Sequence, residues 1–246
     1  DAIDLQRVED ALSGGEFTHL AAVHHETTTG RLNDIGALTR LCERHGLQLL
    51  LDAVSSFGAE QIPFKSPALA ACAATANKCL HGIPGLCFVV SRRKALEHSA
   101  EPPRSLYLHL PLWADKQDQQ ETPFTPSVNG VLALEQALKE LAGQGGWQAR
   151  HAHYSQLAGK VKRALAAHEV KPLLQQGESS CVLNAYRIPE GKTYADIHDG
   201  LKQRGFVIYA GQGSMVTEMF RISTMGDISD YDMERLLAAL HTVFSA

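Results

Sequence analysis

The chain predicts an α/β protein, a mostly parallel sheet with helices on both faces, followed by a small α+β region. Three observations predict it. Short apolar segments alternate with helix-period stretches through the first half, the pattern of strands joined by crossover helices. The second half changes to strand, helix, strand, strand, helix. And 246 residues with 44% hydrophobic and 20% charged content suffice for a large buried core.

In order, Leu20 to Val23 is an apolar run ending in polar His24-His25-Glu26-Thr27. From Asp34 to His45, Ile35, Leu38, Leu41 and Cys42 recur on one helical face. Leu47 to Leu51, bounded by Gly46 and Asp52, suits a largely buried parallel strand. Ala68 to Ala74 leads into Thr75-Ala76-Asn77-Lys78, and after the Gly82-Ile83-Pro84-Gly85 turn Leu86 to Val90 reads as another strand. Glu101 to Pro126 holds five prolines and little periodicity, so it predicts a long irregular connection. Helices are expected over Ser127 to Leu141 and Trp147 to Ala167, parted by Gly143-Gln144-Gly145-Gly146. The tail predicts strands at Cys181 to Arg187, Phe206 to Tyr209 and Met219 to Ser223. Its helices are expected over Thr193 to Arg204 and Asp230 to Phe244, with Thr193 and Ser229 or Asp230 as N-caps. Residues 1–142 are expected to form the large domain and 143–246 the small one.

The net charge of −4, with both signs spread along the chain, gives no basic stripe for nucleic acid or an anionic membrane. No apolar run approaches the roughly 20 residues that span a bilayer, and no basic-then-apolar leader is read. The five cysteines form no C-x-x-C pair and read as reduced thiols of a cytoplasmic protein. Neither His24-His25 nor His151/His153 lies beside cysteines or carboxylates at metal-ligand spacing, so no metal is expected.

Charge is informative where it is scarce. Between Lys65 and Arg92 the only formal charge is Lys78, and between Arg44 and Glu60 it is Asp52, directly after Leu49-Leu50-Leu51. Buried charge is costly unless paired or neutralised, and a carboxylate ending a parallel strand sits where open α/β sheets bind ligands. The two residues alone fit a buried ion pair, or loop-end groups that reach water. They also fit pyridoxal 5'-phosphate, which takes an amine to bind as a Schiff base and a carboxylate to keep its pyridine nitrogen protonated. Its phosphate takes hydroxyls, backbone N–H groups or a helix N-terminus, and Thr27-Thr28-Thr29-Gly30 and Ser55-Ser56 offer hydroxyls.

At these residues the sequence resembles the class V, fold-type I aminotransferases. The resembling stretches are His24-His25-Glu26-Thr27-Thr28-Thr29-Gly30, Leu51-Asp52-Ala53-Val54-Ser55-Ser56-Phe57-Gly58, Ala76-Asn77-Lys78-Cys79-Leu80-His81-Gly82-Ile83-Pro84-Gly85 and Phe220-Arg221-Ile222-Ser223-Thr224-Met225-Gly226. They follow in the expected order, with 26 residues from Asp52 to Lys78.

The resemblance implies pyridoxal 5'-phosphate, with Lys78 as its Schiff-base lysine and proton carrier and Asp52 on the pyridine nitrogen. Val54 would pack on the ring, and Thr27 would bond near the phenolic oxygen. Thr75 and Asn77 would also contact the cofactor, and Arg221 would grip the substrate's carboxylate or phosphonate with its planar fork. Thr125 matches a loop that reaches the cofactor phosphate of the neighbouring subunit, which implies a homodimer. The branch it resembles most transfers an amino group from 2-aminoethylphosphonate to pyruvate, giving phosphonoacetaldehyde and L-alanine. Alanine–glyoxylate or serine–pyruvate transamination is the alternative, as is a catalytically silent fragment. A cysteine desulfurase needs a reactive cysteine on a mobile loop, a context none of the five has. His25 departs from that branch, which carries a small residue or cysteine there. Such enzymes also begin well upstream of Asp1, with the first strands, the phosphate-cradling turn and a ring-stacking aromatic, so the chain is expected to be a fragment.

Overall fold

Strands β1 (His19–Val23), β2 (His25–Glu26), β3 (Arg31–Leu32), β4 (Gln48–Asp52), β5 (Leu69–Thr75) and β6 (Cys87–Ser91) build the first half, with helices α1 (Leu5–Ser13) and α2 (Ile35–His45). They are taken from a computed structural model that describes residues 2–97 and 103–245. Asp1 and the first two residues of the expected irregular connection lie outside those residues.

One sheet has the order β1-β4-β5-β6, with β1, β4 and β5 parallel and β6 antiparallel. Helix α2 forms as its apolar spacing predicts. Asp34 accepts the Ala37 N–H at 2.8 Å to cap its start, and Gly46, at φ 67°, ends it in the left-handed conformation. Its buried Leu38 and Cys42 meet Leu49, Leu51 and Cys72 in one core cluster. Helix α1 was not foreseen; Asp4 caps it by accepting the N–H groups of Gln6 and Arg7.

Side chains alternate along a strand, so Val23 and Leu50 point to the face opposite that core. There they are 40% and 39% exposed. The mostly parallel sheet with packed helices is the expected α/β class; α1 and α2 pack on one face, and on the other Val23, Leu50 and Val89 stay 40%, 39% and 38% exposed.

The expected irregular connection contains helix α3 (Leu110–Asp118). Pro111 sits in its first turn, where a proline gives up only an N–H that has no helical partner. Helices α4 (Val128–Gly143) and α5 (Gly146–Ala166) follow.

The second half is a three-stranded antiparallel sheet ordered β7 (Leu183–Arg187), β9 (Met219–Ser223), β8 (Tyr209–Ala210), with α6 (Tyr194–Lys202) and α7 (Asp230–Ser245). The strand expected over Phe206 to Tyr209 is thus shorter and shifted. Leu157, Leu165, Tyr186, Leu201, Phe220 and Leu240 close a core among α5, the sheet, α6 and α7. Thr193 and Asp196 complete a capping box at α6, and Ser229 caps α7 by accepting the Asp232 N–H. A third cluster, Ala59, Cys79, Tyr154, Cys181 and Val182, joins the halves.

Candidate active site

Parallel pairing brings the C-terminal ends of β1, β4 and β5 to one edge of the sheet, the edge where open α/β sheets take ligands. Register sets Val23 opposite Asp52 and Asp52 opposite Ala73. Asp52 is exposed; its Oδ1 accepts the Val54 N–H at 2.9 Å, and its Oδ2 takes no hydrogen bond from a described residue. The turn after β5 carries Lys78. Thr75 Oγ1 lies 2.7 Å from Asn77 Oδ1, the Ala76 N–H bonds Leu86 O, and the His81 N–H bonds Lys78 O at 3.0 Å. Lys78 is half-buried and makes no ion pair with Asp52 or any other described acid. The buried-pair interpretation of the two charges therefore fails.

Thr27 to Gly30 close the β2–β3 hairpin. Glu26 accepts the N–H and hydroxyl of Thr28 at 2.9 and 2.8 Å, and the N–H bond above all lowers the pKa of its carboxyl. Gly30 has φ 83°, and a Cβ there would stand 2.5 Å from Leu183 O, so only glycine fits. That close approach lets the loop meet the second sheet. From β9, Arg221 donates through Nη1 to Thr27 O at 2.8 Å and through Nε to Ala210 O at 2.9 Å. No described acid pairs with it, and its Nη2 makes no hydrogen bond to a described residue. Thr125 is exposed between α3 and α4 and bonds none of these residues.

The sequence reading missed the buried polar groups behind this edge. His24 bonds Ser56 Oγ at 3.0 Å through Nδ1, and burial drives its pKa down to about 4 against the opposing pull of Glu60. His25 is 2% exposed; Nδ1 lies 3.2 Å from Ser55 O, while Nε2 has no partner among the described residues. Burial lowers its pKa too, and the Lys78 charge reaches it. A buried orphan nitrogen marks room for a further polar partner.

Folding also brings His151 to Glu60 and Cys181, which no sequence spacing signalled. Their donor atoms lie within 4.8 Å of one another. Both carboxylate oxygens are already engaged: Oε1 accepts Ser180 Oγ–H and the Cys181 N–H at 2.7 and 2.8 Å, and Oε2 faces His151 Nδ1 at 3.1 Å. Burial raises the Cys181 thiol far above its ordinary pKa, so it stays protonated. The arrangement is a hydrogen-bonded buried carboxylate.

Residues 1–236 match the class-V aminotransferase family. This chain belongs to that family. The match accounts for the resemblance carried by the sequence motifs, and pyridoxal phosphate is the cofactor of that family. The residues present fit it: an amine and a carboxylate with a free oxygen share one sheet edge, and the unpartnered His25 nitrogen lies behind them. The chain is 39% identical over 229 residues to a 2-aminoethylphosphonate–pyruvate transaminase of Aeromonas hydrophila, covering 92% of this chain and 60% of the relative. It is 33% identical to a transaminase of the same name from Phocaeicola vulgatus, over 99% of this chain and 68% of that one. Among solved structures, pyridoxamine–pyruvate aminotransferase from Mesorhizobium loti superposes with a TM-score of 0.88 at 29% identity, covering 99% of this chain and 64% of that chain. The class-V chain thus spans about 60% of the length of the Aeromonas relative.

Proposed function

We propose that the chain carries the lysine-bearing part of a pyridoxal-phosphate transaminase that moves the amino group of 2-aminoethylphosphonate to pyruvate, yielding phosphonoacetaldehyde and L-alanine. When bound, the cofactor serves as an electron sink that makes the amino-bearing carbon of the substrate acidic. Lys78 Nζ holds the cofactor and moves the proton at that carbon. Asp52 would accept the pyridine N–H, and Val54, 37% exposed beside it, would pack on the ring. Thr27, Thr75 and Asn77 supply polar contacts around the ring and its phosphate.

The observation that carries the reading is Arg221. It is a half-buried guanidinium held by two main-chain carbonyls, with no carboxylate partner and one terminal nitrogen unengaged among the described residues. Such a group is built to take an external anion, and a phosphonate or carboxylate matches its fork.

The same reading divides the chain into a large region, 1–142, and a small region, 143–246, parted at the α4–α5 junction where Gly145 takes φ 98°. It makes the protein a homodimer, supported by the exposed apolar side chains of Leu106, Tyr107, Leu108, Val128, Val131 and Leu132. Thr125 would then reach the phosphate bound by the partner. Among the described residues no helix is long and apolar enough to cross a membrane. The free cysteines, four of them buried, support a cytoplasmic setting.

Two measurements test this. The purified chain mixed with pyridoxal phosphate should gain a visible absorbance band that Lys78→Ala abolishes. It should then turn over 2-aminoethylphosphonate with pyruvate faster than alanine with glyoxylate or serine with pyruvate; no turnover of the phosphonate sinks that substrate assignment. The open sheet face at Val23 and Leu50 favours one second reading, a piece that binds no cofactor by itself. A chain that stays colourless would select it.

A further inference from the structure

Helix α5 is fastened to the turn that carries Lys78. Arg150 is 5% exposed, and its Nη1 donates to Cys79 O and its Nη2 to Gln144 Oε1, each at 2.6 Å. One helical turn further on, and so on the same face, Tyr154 is fully buried. Its hydroxyl meets His81 Nε2 and accepts the Gly226 N–H at 3.2 Å. His81 has φ 65°, a left-handed conformation that a non-glycine residue keeps only when its surroundings enforce it. Burial first, then the Arg150 charge, lowers the proton affinity of His81. A neutral ring takes the Tyr154 hydroxyl proton at Nε2, which leaves the phenolic oxygen to accept from Gly226. Cys79 O belongs to the residue next to Lys78, and Gly226 follows β9, the strand bearing Arg221.

We propose that Arg150 and Tyr154 are positioning residues that fix the Lys78 amine relative to Arg221, holding Cys79 and His81 on one side and Gly226 on the other. This rests on the function proposed above. A lysine swings on a flexible stem, so its reach is set by where its backbone is pinned. Small misplacements of a reacting group are expensive in rate.

The test uses the whole chain loaded with pyridoxal phosphate and follows the pH midpoint of the Lys78-dependent visible band, which needs no turnover. Tyr154→Phe and His81→Asn should each keep the band yet move its midpoint by at least roughly half a unit. Asparagine tolerates the left-handed backbone, so His81→Asn breaks the contact without straining the turn. Because both variants remove the His81–Tyr154 hydrogen bond, and Tyr154→Phe removes the Gly226 one as well, the double variant should shift the midpoint no further than Tyr154→Phe alone. Arg150→Met should shift it as well, and Arg150→Lys, which keeps one donor and the charge, should return it part of the way. Variants with wild-type circular dichroism and an unmoved midpoint overturn the proposal, and simple additivity of the Tyr154 and His81 effects overturns the shared contact. If Tyr154→Phe does not fold, His81→Asn decides. A wild-type chain with no band lost in Lys78→Ala defeats the cofactor assignment and the clamp together. An unmoved midpoint in the variants alone defeats only the clamp.

Discussion

The two larger sheets among the described residues are closed to different degrees. The three-stranded sheet of the second half buries Phe220 and Tyr186 completely between α5, α6 and α7, with their rings stacked at 5.6 Å. The four-stranded sheet of the first half buries Leu49 and Leu51 on one face and leaves Val23, Leu50 and Val89 more than a third exposed on the other. Yet Asp52 ends one strand of the half-open sheet, Lys78 sits in the turn after another, and the Thr27 hairpin follows a third. The closed core lends stability and one arginine. The proposed cofactor residues gather at the open sheet, because a ligand edge requires backbone ends and charges that a closed core excludes.

The comparison breaks first at Phe220. Phe220→Ala should cost about 3–5 kcal/mol in denaturant unfolding, as truncation of a fully enclosed aromatic does. A loss under about 1 kcal/mol would mean that the second half is not the tightly packed one.

The first sheet has its own vulnerability, which is to acid. The folded pKa of His24 is depressed to about 4 from 6.5 by burial. The unfolded chain therefore takes up a proton below pH 6.5 that the folded chain refuses until about pH 4. Stability is fully present above that window and falls as pH drops through it, by roughly 3 kcal/mol for a shift of this size. Unfolding curves of wild type and His24→Gln should diverge there, and identical pH profiles would remove His24 as the cause.

Thr193→Ala should remove about 1 kcal/mol by deleting the α6 capping box, measured in the same unfolding assay. The smallest effect sharpens the contrast. Leu50→Thr lies on the open face, keeps β propensity, and should change stability by under about 0.5 kcal/mol. A larger loss would show that this face is covered in solution.

Particular residues show what could be read in advance. Lys78 and Asp52 stood out because each is a single charge in an apolar stretch, and the strand-ending position of Asp52 matched its place at the sheet edge. Helix α2 and the Thr193 cap were legible because capping and 3.6-residue periodicity are local. Helix α3 was hidden because Pro111 reads as a breaker unless it is known to stand in a first turn. The Arg150 and Tyr154 contacts join residues 71 and 73 positions apart, and no local pattern encodes such a pairing.

By itself, then, the sequence determined the α/β class and most helices and strands, and it singled out Lys78 and Asp52 as isolated charges. These depend on periodicity, caps and isolated charge, all properties of neighbours along the chain. Only the tertiary structure decided that Lys78 and Asp52 form no ion pair, that Arg221 is held by Thr27 and Ala210 with no acid beside it, and that α5 grips the Lys78 turn. The physical reason is that a side chain's partners and burial are set by which strand ends and helix faces meet in space. Those meetings follow from sheet register and core closure, which no single segment contains.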